Sequence, residues 1–252
     1  MFKGVYDLTS GMLSQTRNLD VIANNISNVS TSGYKTETYL DSTFRELMFS
    51  RVGNRDKTDA NEIGTQTMAL MPSAVETDYT QGVLEETGQI LDFAINGNGF
   101  FQVQGQDGNV LTRNGSFILD EEGYLAAPSQ GRVLGTNGQP IYLGTDAFTA
   151  DASGNLFLEN GTLAGRIGVF DVPGGDYQQA LQKQGEGTYV ANGQVQAVNT
   201  PIQWKYVENA NVDAVREMTR MMSSQRALQS ASQILKIYNQ LMGKAVSDVG
   251  RV

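Results

Sequence analysis

Apolar residues recur at intervals of seven at both ends of this 252-residue chain. Towards the C-terminus Met221, Leu228, Leu235, Met242 and Val249 stand seven apart, and Ala231, Tyr238 and Ala245 follow three residues behind their partners. Ala227, Ile234 and Leu241 widen the stripe, and no Pro or Gly interrupts it before Gly243. This spacing keeps one helix face apolar over many turns, which is the seam of a coiled coil or bundle. Asn211 suits an N-cap and Asp213 suits the positive end of the helix dipole, so a helix is predicted from Val212 to about Met242. At ~1.5 Å per residue it would be about 45 Å long. Val5, Leu8, Met12, Leu19, Ile22, Ile26 and Val29 fit the same heptad at the other end, with Gln15 as the polar exception.

The middle has another texture. Asn-Gly occurs at Asn96, Asn98, Asn114, Asn137, Asn160 and Asn192, and Asp107-Gly108 adds a further turn signal. Several of these lie between short apolar or alternating runs such as FFQVQ, VLTRNGSFIL and NLFLENGTLAGRIGVFDV. Such dipeptides favour tight hairpins because the type I′ turn needs positive φ at both central residues. An antiparallel β domain is therefore expected over 83–205. Residues 51–82 are polar and carry Gly53, Gly64 and Pro72, which reads as an extended connector. The plan is α+β. A helix and its stop occupy 1–50, the connector 51–82, the inserted and mainly antiparallel β domain 83–205, and a second long helix 206–252. The two helices pack as a coiled-coil-like pair.

Composition removes most chemistry. There is no cysteine and no histidine, so disulfides, thiolate metal sites and histidine-dependent nucleophile triads are excluded. No cofactor is expected. A net charge of −9 argues against nucleic acid. The acidity lies in the middle, with thirteen acidic and five basic residues from Val83 to Lys205. The ends are close to neutral, so copies of them do not repel one another. No apolar run approaches the ~18 residues of a membrane span. The N-terminus, MFKGVYDLTSGM, has no continuous apolar stretch, so neither membrane insertion nor a cleavable signal peptide is expected.

Three motifs have bland readings that outweigh their functional ones. Asn25-Ile26-Ser27, Asn28-Val29-Ser30, Asn114-Gly115-Ser116 and Asn160-Gly161-Thr162 match the glycosylation triplet in a chain without secretory signals. INGNGFF, from Ile95 to Phe101, lacks the Lys-Ser/Thr of a phosphate loop and reads as a turn. Asp120, Glu121 and Glu122 lack the alternating spacing of a calcium loop and read as a solvated turn. The stretch NNISNVSTSGYK, Asn24 to Lys35, is less simple. Ser30 to Gly33 make a good helix stop, with Gly33 suited to the left-handed position. Asn24, Asn25 and Asn28 come a turn or two too early for that. Amides on a packed helix specify register and partner more than stability, which fits an assembly contact.

SGMLSQTRNLDVIANNISNVSTSGYK resembles the N-terminal signature of bacterial flagellar basal-body rod and hook proteins. YTQGVLEETGQILDFAINGNGFFQV and LTRNGSFILDEEGYL are similar to that family's β domain, and VENANVDAVREMTRMMSSQRALQSASQILKIYNQLM to its C-terminal helix. The resemblance implies a structural subunit of the rod, not an enzyme. Such subunits polymerise into a helical tube, with terminal helices lining the channel and β domains outside. The implied partners are further copies of the chain, other rod and hook proteins and the flagellar export apparatus. The implied location is the basal body, outside the cytoplasmic membrane. On this reading Leu19, Ile22, Asn24, Asn25, Ile26, Asn28, Met221, Leu228, Leu235, Tyr238 and Met242 form the assembly interface. Two alternatives stand beside it: a cell-wall hydrolase using paired carboxylates, and a secreted adhesin-like β protein, which would not need both heptad helices.

Overall fold

The computed structural model describes residues 2–43, 46–52, 60–67, 70–105, 108–185 and 187–249. The chain is α+β and forms two compact units. The first comprises Met1–Ile26, Glu37–Glu76 and Ala214–Val252; the second comprises Ser27–Thr36 and Thr77–Asp213.

The first unit holds α1 (Phe2–Ser27), β1 (Glu37–Thr43), β2 (Glu46–Val52), β3 (Ala60–Thr67) and β4 (Leu70–Thr77), and closes with the C-terminal helix Ala214–Val249. β2 and β3 pair antiparallel, with Glu46 opposite Thr67 and Val52 opposite Ala60, and β1 pairs with β4. The stretch expected as an extended connector thus carries paired strands. The first helix stops at Ser27, six residues before Gly33. Thr31 N–H closes a turn onto the Asn28 carbonyl at 3.0 Å.

The second unit contains β5 (Leu84–Glu86), β6 (Phe93–Ile95), β7 (Phe100–Gly105), β8 (Gly108–Thr112), β9 (Ile118–Leu119), β10 (Leu125–Ala127) and β11 (Gly131–Val133). It continues with β12 (Phe148–Ala150), β13 (Asn155–Leu158), β14 (Leu163–Arg166), β15 (Val169–Asp171), the short α2 (Tyr177–Ala180), β16 (Leu181–Gly185), β17 (Thr188–Ala191), β18 (Gln196–Val198), β19 (Ile202–Trp204) and β20 (Tyr206–Glu208). The C-terminal helix is then α3. One sheet runs in the order β16-β17-β8-β7-β11-β10-β9, with β15 joining β7 to β18; β12-β13-β14 form a meander, and β5 pairs with β20 and β6 with β19. The described strand pairs of this unit are antiparallel.

Adjacent Phe100 and Phe101 show why the unit has two apolar clusters. Successive strand residues face opposite ways. Phe101 enters the main core with Phe93, Phe117, Leu125, Val133, Leu156 and Ile167. Phe100 faces Leu111, Leu181 and Tyr189, with Tyr79 and Tyr177 packed against them. Each such ring contributes about 1.5–3 kcal/mol by leaving water.

The Asn-Gly signals serve two ends. Asn160-Gly161 turns between the paired strands β13 and β14, and Asn137-Gly138 turns within the bridge of Leu134 to Pro140. The others named at 96, 98, 114 and 192 connect strands that do not pair with each other. At Gly115 the glycine allows close approach instead: a Cβ there would lie 1.6 Å from the Phe93 carbonyl oxygen. The sharp turns come from a repeated D-x-x-G-x-L. Asp120 Oδ1 accepts the Glu122 and Tyr124 N–H groups, and Asp151 Oδ1 accepts those of Ser153 and Asn155. The glycines, Gly123 and Gly154, take φ of 86° and 79°.

Candidate assembly interface

Within the first unit the two terminal helices meet through polar side chains. Asn18 Nδ2 donates to Ser224 Oγ at 3.2 Å, and Asn25 Nδ2 donates to Glu217 Oε2 at 3.4 Å. As the α1 partner advances by seven residues the α3 partner retreats by seven, so the helices run antiparallel. Glu217 is buried and also takes a hydrogen bond from Arg220 at 2.8 Å. Strand β1 lies along α1: Ser14 Oγ donates to Asp41 at 2.7 Å, and Asn25 both donates to the Glu37 carbonyl at 2.8 Å and accepts the Glu37 N–H at 3.0 Å. A polar cavity of about 210 Å³ remains here, lined by Asn18, Ile22, Glu37, Tyr39, Glu217 and Ser224 among others.

The seven-residue stripe of α3 is its least exposed line. Ala214, Glu217, Met221, Ser224, Leu228, Ala231, Leu235, Tyr238 and Met242 are buried or half-buried, and every position between them is exposed. Two apolar groups flank this line. Val215, Met218 and Met222 each follow a seam residue by one position; Ile234, Ile237 and Leu241 each precede one. One position is about 100° of helix rotation, so these two groups lie on opposite flanks; Val246, 69% exposed, lies past Met242, the last residue of that line. All six are more than half exposed, from Met218 at 51% to Val215 at 75%. On α1, Tyr6 and Leu13, also seven apart, are exposed at 65% and 53%.

The expected interface residues divide accordingly. Ile22 and Asn25 are buried, Leu19 and Ile26 half-buried, and Asn24 exposed on α1. Met221, Leu228, Leu235, Tyr238 and Met242 are half-buried along the α3 seam. Asn28 lies in the second unit, buried, where its Oδ1 accepts the Thr31 hydroxyl at 3.1 Å. Sequence reasoning missed the polar rungs Ser14, Asn18, Glu217 and Ser224. The seven-residue steps from Asn18 to Asn25 and from Glu217 to Ser224 were the available signal.

Asn211 does not serve as the expected N-cap, because α3 begins at Ala214. It binds the segment that follows α1. Its Oδ1 accepts the Thr36 N–H at 2.7 Å and the Thr36 hydroxyl at 2.8 Å, and its Nδ2 donates to the Asp78 carbonyl at 2.8 Å. Beside it, Glu208 takes Lys35 Nζ at 2.5 Å and Arg113 Nη1 at 2.9 Å, with all three side chains buried. Burial pushes the Lys35 pKa down, opposed by the carboxylate in contact with it. This cluster is structural: each charge is answered by another or by a backbone group. Among the described residues no group of three or more carboxylates is placed to hold a metal ion, and no helix is long and apolar enough to cross a membrane.

Three family models match the chain: "Flagella basal body rod protein" over residues 6–35, "Flagellar hook protein FlgE/F/G D1 domain" over 94–147, and "Flagellar basal body rod FlgEFG protein C-terminal" over 205–248. Relatives match across nearly the whole length. Flagellar basal-body rod protein FlgG of Bacillus subtilis is 30% identical over 98% of this chain and 99% of its own. Flagellar basal-body rod protein FlgG of Agrobacterium fabrum is 32% identical over 90% and 91%. Flagellar hook-basal body complex protein FlhO of Bacillus subtilis is 29% identical over the full length of both.

Proposed function

The chain belongs to the flagellar basal-body rod protein family, and we propose that its copies polymerise through the terminal helices into the helical tube of the rod. Its role is structural, not enzymatic, as in the rod proteins it is related to. The hydrolase and adhesin readings draw no support from these relatives. The basal body is its location, and we place it there outside the cytoplasmic membrane. Its partners are further copies, neighbouring rod and hook proteins and the export apparatus that delivers it.

One observation carries the self-assembly. Two groups of exposed apolar residues of α3 lie on opposite flanks of its seam, Val215, Met218 and Met222 on one and Ile234, Ile237 and Leu241 on the other. A helix in a protein draws most of its stability from packing its apolar surface, and α3 carries exposed apolar residues on both flanks along its 36 residues, so both flanks need cover. Two different flanks engage two different neighbours. Contacts of that heterologous kind build open helical polymers when the rotation does not close. On completion of the tube α1 and α3 tighten into the coiled-coil-like pair that the heptads specify.

The test is a pair of flank variants, Met218→Asp with Met222→Asp, and Ile234→Asp with Leu241→Asp. Each protein should be made, stay soluble and keep the thermal transition of the β unit. Neither should support rods or hooks in electron micrographs of cells, and both strains should be non-motile. Wild-type motility in both strains would reject assembly through α3.

A further inference from the structure

The segments that leave α1 and enter α3 are bound to each other inside the β unit. Gly33 N–H donates to the Glu208 backbone carbonyl at 2.7 Å, while the Glu208 carboxylate takes Lys35, Arg113 and, at 2.9 Å, the Gly82 N–H. Asn211 holds Thr36 as described, and its own N–H points to the Tyr34 carbonyl at 3.4 Å. The fit at Gly33 admits no side chain: φ is +72°, and a Cβ would stand 2.3 Å from the Arg113 carbonyl carbon. Tyr34 is 1% exposed and has the Lys183 ammonium 5.0 Å from its ring centre. Gly33 meets Glu208 and Thr36 meets Asn211, so the two segments advance together in the same direction.

We propose that residues 33–36 and 208–211 form a latch that joins the two helical ends of the chain in the lone subunit, before any neighbour is present. Without it, α1 and α3 would be tails at opposite ends of a long chain, and pairing them would require closing that whole loop. Folding of the β unit closes the loop first. Each helix then meets the other at high effective concentration. The latch does not depend on polymerisation, so it stands or falls separately from the tube.

Amide exchange on the full-length soluble protein tests it. Gly33 and Asn211 should be protected within about 10-fold of the core amides Phe93 and Leu125, while amides of Leu228–Met242 exchange at least about 100-fold faster. Exchange at Gly33 as fast as in α3 overturns the proposal. Glu208→Gln removes the charge that holds Lys35 and Arg113. If that protein lacks a cooperative melt, Thr36→Val decides, because it deletes only the hydroxyl contact with Asn211. Thr36→Val should lower protection at Gly33 and Asn211 by about 5- to 10-fold and leave Phe93 and Leu125 unchanged. Equal loss at all four amides would mean that the strap is an inseparable part of the β core, and no latch exists.

Discussion

Asn18 on α1 and Ser224 on α3 are joined by a hydrogen bond of 3.2 Å, and the next heptad repeats the arrangement with Asn25 and Glu217. These polar rungs sit where two apolar-striped helices touch. An apolar seam alone tolerates sliding, because one leucine replaces another. A rung of amide to hydroxyl or carboxylate is lost on sliding and leaves buried polar groups unpaired. The rungs therefore specify register, and the apolar flanks remain for neighbours.

Replacing Asn25 should be far more costly than replacing its neighbour. Asn25 is fully buried and serves both backbone groups of Glu37 as well as Glu217. Asn25→Ala leaves these unpaired, at a cost of about 1–3 kcal/mol. The critical concentration for polymerisation of the purified protein should rise roughly tenfold or more, at ~1.4 kcal/mol per decade. Asn24→Ala, which breaks none of these contacts, should change it by less than about threefold, about 0.5 kcal/mol. Similar values for the two variants would remove Asn25 from the helix contact.

The three acidic residues of the 120–122 turn should behave differently from one another. Asp120 accepts two backbone N–H groups and Arg132 Nε at 2.7 Å, whereas Glu121 is exposed. Desolvation alone would raise the Asp120 pKa, but the Tyr124 N–H and Arg132 outweigh it and hold the carboxyl below its usual 3.8. A depressed pKa gives stability that is present above the unfolded value and lost as pH falls through the folded one. Asp120→Asn should lower the melting temperature at pH 7 and flatten its acid dependence below pH 3.8. Glu121→Gln should do neither. Differential scanning calorimetry between pH 2 and 7, read with ~0.2 °C precision, separates them.

How much of this was legible in the residues depends on the kind of contact. The step of seven through Met221, Leu228, Leu235 and Met242 follows from helix geometry alone, and those positions line the seam. The rungs at Asn18, Asn25, Glu217 and Ser224 obey the same step, but an apolar period is blind to polar residues. Asn211 has the chemistry of an N-cap, yet its oxygen is taken by Thr36, 175 residues away in sequence. No local rule foresees that competition. The same holds for Asn114-Gly115, where glycine answers the approach of Phe93 and makes no hairpin. Local signals located turns and faces; long-range packing decided what each turn was for.

Tyr177 should give the β unit an alkaline limit. Its hydroxyl donates to Asp171 Oδ1 at 2.8 Å, and its ring packs against Phe100 and Tyr79. Burial first, and then the Asp171 carboxylate, raise its pKa from 10.0 to about 12. The raised value means that its contribution is complete below the unfolded pKa and drains as pH rises from 10 to about 12. Thermal melts of wild type should fall across that window, and Tyr177→Phe should fall less steeply. Parallel slopes for the two proteins would show that Tyr177 does not titrate in it.

A fragment cut at Val83 and Lys205 should fail where a slightly longer one succeeds. The shorter cut removes β20, the partner of β5, and with it Glu208. Arg113, 4% exposed, then loses the carboxylate that answers its charge. Breaking a buried pair from one side costs about 3–5 kcal/mol, a large share of the roughly 5–15 kcal/mol of a whole domain. Residues 77–213 keep β20, Glu208 and Asn211, and should melt cooperatively. Residues 27–213 also keep Gly33, Lys35 and Thr36, so they should melt higher still, since Lys35 and the Gly33 N–H both bind Glu208. Circular dichroism melts of the three fragments at one concentration set the order. If 83–205 melts as sharply and as high as 77–213, then β20 and Glu208 carry no weight in the unit, and its boundary lies at Lys205 after all.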